Sequence, residues 1–324
     1  MPAVMAVVQA ASQSGIEQFV NATISGLALG AIYAVLALGF VIIFKATQVV
    51  NFAHGALAAL GAYFVVYFAT VLNFPGRFVD FLPISVQWLL SALAAVAATA
   101  LVGIIIERLT IRPMIGEPLF AVAMITLGLD LIIRTITNDF MGNQLRGLGD
   151  PWGIETLEVG LITISKTQIL TIAVAVLAML GLAWFFRTRM GIAMRATAFD
   201  QEAAMAQGIS VGKVFALAWA IGAGLAAIGG IVSSVAPRAP GVTPFTALIA
   251  FRAFPAVVIG GLDSIAGAIV GGLIVGMAEV YAGTYLTFSW LGVGFSGIVP
   301  WLLMMAVLLV KPYGIFGTEE IRRV

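Results

Sequence analysis

The sequence predicts an all-α protein, a polytopic transmembrane helix bundle of about nine spans, with eight to ten as the range. Three observations predict it. Of 324 residues, 61% are hydrophobic and only 10% are charged, where charged residues make up about a quarter of a soluble domain. Mean hydropathy is +1.10. Apolar runs of roughly 20 residues, the length that crosses a bilayer as a helix, recur along the chain. These spans use nearly all of it, so a single transmembrane domain over residues 1–324 is expected, with no segment left for a soluble domain.

The spans are expected at roughly 19–44, 52–72, 84–106, 118–137, 169–186, 214–236, 242–262, 264–283 and 291–310. The first 16 residues are apolar but lack the basic start of a secretory signal, and they are expected to form a tail into the first span. Basic residues orient the bundle. Ten fall in loops assigned inside (Lys45, Arg108, Arg112, Arg187, Arg189, Arg195, Lys213, Lys311, Arg322, Arg323) and four outside (Arg77, Arg146, Lys166, Arg238). This excess places the N-terminus outside and the C-terminus in the cytoplasm. The linkers Lys45–Asn51 and Gly261–Asp263 are short enough to belong to broken or re-entrant helices, which sets the range in span number.

Composition also excludes chemistry. There is no cysteine, hence no disulfide, thiol nucleophile or thiolate metal site, and His54 is the single histidine. No metal and no cofactor are expected. A net charge of +1 says nothing about a polyanionic partner; no nucleic acid is expected, and the bilayer is the expected surround. Gly212-Lys213 is the one Gly-Lys pair, but Gln207 stands where a phosphate loop needs its first glycine and Val214 where it needs Ser or Thr. The chain is expected not to hydrolyse ATP and not to be an enzyme.

The segment 187–213 is polar, basic and bracketed by spans. Ala193–Gln207 is rich in helix formers, Gly191 precedes it and Gly208 follows, as suits a helix start and a C-terminal cap. By itself the stretch reads equally as a connecting interfacial helix or as a grip for a partner. Glu202-Ala203-Ala204 followed after three residues by Gly208 resembles the cytoplasmic loop with which permeases of ATP-binding-cassette importers engage their ATPases. In the first span and its exit, Gly26 to Gly30 followed by Asn51-Phe52-Ala53-His54-Gly55 resembles the branched-chain amino acid importer permeases, the LivH-like group, and the likeness covers nearly the whole chain. The Ile-x-Leu-Pro ending of the widest importer signature is missing after Gly208, as in the branched-chain group.

The resemblance implies a non-catalytic permease domain that works with a homologous second permease (LivM-like), two ATP-binding subunits and an external solute-binding protein. It implies coupling residues at Arg195, Asp200, Glu202, Ala203, Ala204 and Gly208, and Leu, Ile or Val as substrate. Related permeases carry urea, short amides or other amino acids. The rival class is a stand-alone secondary transporter or channel, which needs coupling-ion ligands or a relay of membrane acids. Only Asp130, Asp263 and Glu279 offer themselves. A scaffold without transport is a third class.

Five residues are candidates for the translocation route. Asn51 and His54, three apart, share a helix face and either gate the cytoplasmic end or form a capping and packing cluster. Asp130 and Arg134, four apart, form either an internally neutralised pair or a polar contact on the route. Arg252, in mid-span near Pro255 and Gly260-Gly261, is route-lining or structural, and Glu279 is a weaker candidate. The external segment Asn138–Gln168 carries Asp139, Asp150, Glu155 and Glu158 against Arg146 and Lys166, and is either a docking surface or a solvated connector. Glu107, Arg108 and Arg112 are expected to fix topology. Gly26-xxx-Gly30, Gly222-xxx-Ala226-xxx-Gly230, Gly267-xxx-Gly271 and Gly272-xxx-Gly276 place small residues on single faces, where helices approach closely.

Overall fold

The computed structural model describes residues 15–114, 117–142, 144–160, 162–286 and 294–318. The tail at 1–14, residues 291–293 of the expected last span, and Arg322 and Arg323 lie outside these.

The described residues form eleven α-helices and one β-hairpin. They are α1 (Gly15–Thr47), α2 (His54–Val66), α3 (Ile84–Ile106), α4 (Leu119–Met141), β1 (Thr156–Val159), β2 (Ile162–Ser165), α5 (Lys166–Phe185), α6 (Arg189–Phe199), α7 (Gln201–Ala206), α8 (Val211–Ser233), α9 (Ile249–Gly260), α10 (Ile265–Tyr285) and α11 (Val299–Val310). Turns of wider π geometry extend α2 through Val71 and α3 through Ile111, and a short 3₁₀ turn then reaches Met114.

Seven helical segments are long and apolar enough to cross a membrane: Gly15–Thr47, His54–Val71, Ile84–Met114, Leu119–Met141, Lys166–Phe185, Val211–Ser233 and Ile265–Tyr285. They fall on seven of the expected spans. The other two expected spans, 242–262 and 291–310, correspond to shorter apolar helices, Pro244–Gly260 and Phe295–Val310. The 12 residues of α9 reach about 18 Å, well short of a hydrocarbon core of about 30 Å. Pro255 does not break α9, whereas Gly261, at φ +105°, ends it.

The core sits on α1. Its residues from Ala28 to Ile43 are buried almost without interruption, and α8, α10, α5 and α9 pack around it. Sequence explains the closeness of α1 to α10. A Cβ on Gly30 would lie 2.8 Å from Leu273 Cα, and one on Gly276 would collide with the Gly30 backbone. The Gly26-xxx-Gly30 and Gly272-xxx-Gly276 faces therefore meet backbone to backbone, as small-residue motifs allow. By contrast α4 and α5 bury few residues and expose Leu131, Ile132, Leu177 and Leu180, apolar surface suited to lipid or to another subunit.

Two elements depart from the sequence reading. The polar segment is not one helix over Ala193–Gln207 but two, α6 and α7, divided at Asp200, whose backbone is extended (φ −155°, ψ 111°). The first starts at Arg189 behind an N-cap on Thr188, so Gly191 lies inside it, where a Cβ would strike the Phe185 carbonyl. The segment 138–168, expected outside, is more ordered than a solvated connector. Its hairpin pairs antiparallel, Trp88 donates to the Leu148 carbonyl at 2.9 Å, and Arg146 bridges Val242.

Candidate functional site: a polar handle at one end and a charged cavity at the other

At one end of the bundle α6 and α7 project as a pair. The inner face of α6 is Gly191, Met194 and Thr197, spaced three apart and buried; Met194 is 0% exposed. The outer face leaves Arg195 and Phe199 to solvent, and Phe199 is 95% exposed. Asp200 ends α6 and caps α7, its Oδ1 accepting from the Ala203 backbone N–H at 2.9 Å. On α7, Glu202 and Ala203 are exposed and Ala204 is buried. Gly208, at φ +81°, closes α7 as the left-handed residue that a helix C-terminus favours. The six expected coupling residues thus fall along the α6–α7 pair and its two ends, five of them accessible and Ala204 buried.

This element is tied to the spans behind it. Glu107 at the end of α3 is fully buried, and Arg112 reaches it with two hydrogen bonds of 3.0 and 2.9 Å. The same guanidinium donates to the Gly212 carbonyl at 2.8 Å, where the polar segment enters α8. A cavity of about 660 Å³ separates α6 from the rest of that end, with Arg195 and Phe199 on one wall and Lys45, Asp263 and Tyr313 on the other. Lys45 donates to the Asp263 carbonyl at 3.0 Å, and Thr318 donates to the Asp263 carboxylate.

Asn51 and His54 are 1% and 0% exposed. Asn51 Oδ1 accepts from the Ala53 N–H at 3.0 Å, a local turn contact, and its amide nitrogen has no partner among the described residues. The His54 ring packs on Phe40 at 4.2 Å between centroids and against Gly39. The Leu36 carbonyl lies beside the ring, and among the described residues neither ring nitrogen has a partner at full hydrogen-bond geometry. Asp130 and Arg134 do pair, with Arg134 Nε 2.8 Å from Asp130 Oδ2, on a helix that is otherwise largely exposed.

At the opposite end, Arg252 lines a cavity of about 710 Å³ with Arg238 and Glu279. Arg252 Nη1 stands 3.8 Å from Glu279 Oε1, and Tyr33 donates to Glu279 Oε2 at 2.6 Å. Nearer the middle, Phe40, Phe52, Phe254 and Trp301 line an apolar cavity of about 170 Å³.

The profile of a family described as the permease component of branched-chain amino acid transport systems matches residues 22–308. The chain belongs to that family. Two relatives span it almost end to end. The LivH high-affinity branched-chain amino acid permease protein of Salmonella typhimurium is 31% identical over 94% of this chain and 98% of its own. The BraD protein of Pseudomonas aeruginosa is 31% identical over 95% and 99%. A probable LivH permease of Methanocaldococcus jannaschii is 28% identical over 88% of each chain. A solved PsaBC chain from Streptococcus pneumoniae overlaps 91% of this one at 15% identity with a TM-score of 0.41, too low to bear on fold or function.

In this permease Glu107 and Arg112 form a clamp that local sequence does not signal. Glu107 and Arg112 are not merely topology signals, since they join α3 to the root of the handle. Their spacing of five fits no ordinary helical pair; the π turn between them makes it possible. Glu279, the weaker candidate by sequence, faces Arg252.

Proposed function

We propose that this permease is the membrane subunit of an ATP-driven, binding-protein-dependent importer of branched-chain or other small amino acids. It works with a LivM-like second permease, two ATP-binding subunits and an external solute-binding protein. The observation that carries the reading is the handle. A buried face fixes α6 to the bundle, while Arg195, Phe199 and Glu202 stand clear of it. An aromatic ring left 95% exposed at the tip of a charged loop asks for a pocket on a partner. Closure of the ATPase pair pulls this element, and the Arg112 clamp passes the motion to α3 and α8. The spans then alternate between states open to either side.

In this reading nine segments cross or enter the membrane, the N-terminus is outside and the C-terminus is cytoplasmic. Lys45, Arg112, the handle and Lys311 share the inner end; Arg238 and the hairpin share the outer one. The membrane carboxylates support an importer over a proton-relay transporter. Asp130 is paired with Arg134, and Glu279 is held by Tyr33 beside Arg252, so neither stands ready as a relay site. Uptake of urea or short amides is the alternative within the same machinery.

The test is copurification from native membranes with and without Phe199→Asp. An ATPase subunit that copurifies with the wild type and is lost from the variant supports the proposal. An ATPase that stays bound, with transport unimpaired, contradicts the role of the handle.

A further inference from the structure

Glu279 sits on the inner side of α10, 8% exposed, in a helix that is otherwise apolar. A carboxylate in that setting needs compensation. Tyr33 supplies part of it at Oε2 with a 2.6 Å hydrogen bond. The remaining oxygen faces Arg252 at 3.8 Å, about 1 Å longer than a closed charge-assisted hydrogen bond. The two charges attract across a gap that a third polar group can enter. Arg252 leaves 53% of its side chain open, facing the 710 Å³ cavity, and Arg238 stands exposed on the same wall. Arg238 makes no side-chain hydrogen bond or ion pair among the described residues.

The other polar side chains of the wall already have hydrogen-bond partners within the protein. Ser233 and Ser234 donate to the Gly230 carbonyl at 2.9 and 2.8 Å, and the hydroxyls of Thr243 and Thr246 accept from the turn that precedes α9. What remains for a ligand is two guanidiniums beside one carboxylate, a site that presents both signs of charge a short distance apart. The cavity is of the size that ligand pockets have, and Leu145, Phe245 and Leu248 give it apolar walls.

We propose that this cavity binds a free α-amino acid as its zwitterion. Arg252 and Arg238 take the carboxylate, Glu279 takes the ammonium, and the apolar walls take an aliphatic side chain. The proposal rests on the importer reading and deepens it, for the same charges decide among its substrates. A neutral urea or amide offers the two guanidiniums no carboxylate and Glu279 no ammonium. A simple carboxylate satisfies the arginines but brings a second negative charge against Glu279, and a simple amine does the reverse. Only a ligand with both charges a few atoms apart answers all three residues.

The experiment uses the complex as it copurifies, in nanodiscs without nucleotide or binding protein, and measures radiolabelled leucine by equilibrium dialysis. Competitors are 4-methylpentanoate, which lacks the ammonium, 3-methylbutylamine, which lacks the carboxylate, and urea. The proposal expects saturable leucine binding, with each competitor weaker than unlabelled leucine by about tenfold or more. Arg252→Gln and Glu279→Gln each weaken binding by a similar factor, and Arg252→Lys retains part of it. Thermal unfolding of each variant reports whether the fold survives; the competition series on the wild type needs no variant. Absence of leucine binding, competition by 4-methylpentanoate or 3-methylbutylamine equal to that of leucine, or unchanged affinity in both folded Gln variants overturns it. An ATPase that copurifies while leucine fails to bind sinks the cavity assignment alone. Leucine binding without any ATPase sinks the importer reading alone.

Discussion

Asp200 Oδ1 accepts a 2.9 Å hydrogen bond from the Ala203 N–H, and this contact lets one short polar segment hold two helices at an angle rather than one straight rod. The exposed Phe199 and Glu202 flank the bend. The shape offered to a partner therefore depends on a cap, not on burial of apolar surface.

Loss of that cap weakens the handle locally. Asp200→Ala costs about 1 kcal/mol of α7 stability, too little to unfold a bundle whose core lies on α1. The expected outcome is near-normal thermal unfolding with reduced ATPase association, measured by pull-down, and recovery in Asp200→Asn, which can cap in the same way. Equal loss in the Ala and Asn variants would show that the carboxylate charge matters rather than the cap.

Arg112 is the link between α3 and the root of the handle. Arg112→Ala leaves the Glu107 carboxylate, itself 0% exposed, without its cation. Stripping a buried charge of its partner costs about 3–5 kcal/mol, and the lower figure applies because Arg112 is 37% exposed. Glu107→Gln removes the charge with its need for a partner and is expected to be milder. Thermal denaturation in detergent ranks the two. Substrate-stimulated ATP hydrolysis is expected to fall in both, because both loosen the tie to Gly212.

Gly39 of α1 and His54 at the start of α2 share a close contact. A Cβ on Gly39 would lie 2.8 Å from His54 Nε2 and closer still to Cε1. Gly39→Ala overpacks this point, with an expected cost of about 1–3 kcal/mol. Adding His54→Ala should return part of that loss, a coupling that a double-mutant cycle on unfolding free energies measures. If uptake by His54→Ala at normal expression matches the wild type, the ring is packing and not a gate.

Glu158 lies exposed on β1 without an ion-pair partner among the described residues, whereas Glu155 is paired with Lys166. If the external segment receives a solute-binding protein, Glu158→Lys changes the affinity for that protein at low salt and the difference fades at high salt. An effect that survives high salt would point to altered folding of the hairpin instead.

Much of this was legible in the sequence because membrane insertion writes itself in long apolar runs. Seven expected spans match long helices within a few residues, and the small-residue motifs on the first and eighth expected spans, now α1 and α10, do meet. The less legible parts depend on short-range polar contacts or on chain-distant ones. Asp200 is a favoured N-cap residue, but in a segment full of helix formers it reads as one more surface charge. The Ser165-x-x-Gln168 box that starts α5 was visible in principle, and the structure has both of its reciprocal hydrogen bonds. Nothing in the local sequence pairs Arg112 with Gly212, or Glu279 with Tyr33 and Arg252; those pairs exist only once the helices pack. For Asn51 and His54 the expected shared helix face does not form, because α2 begins at His54 and Asn51 lies in the turn before it; both side chains are buried, which spacing alone does not signal.

The most direct test places the whole assembly in sealed proteoliposomes and follows labelled leucine against its gradient. Accumulation that requires ATP, the ATPase subunits and the binding protein, and that disappears when this chain is present alone, is the predicted result. Accumulation by this chain alone, with no nucleotide and no second protein, would contradict the claim that the bundle is driven through its handle.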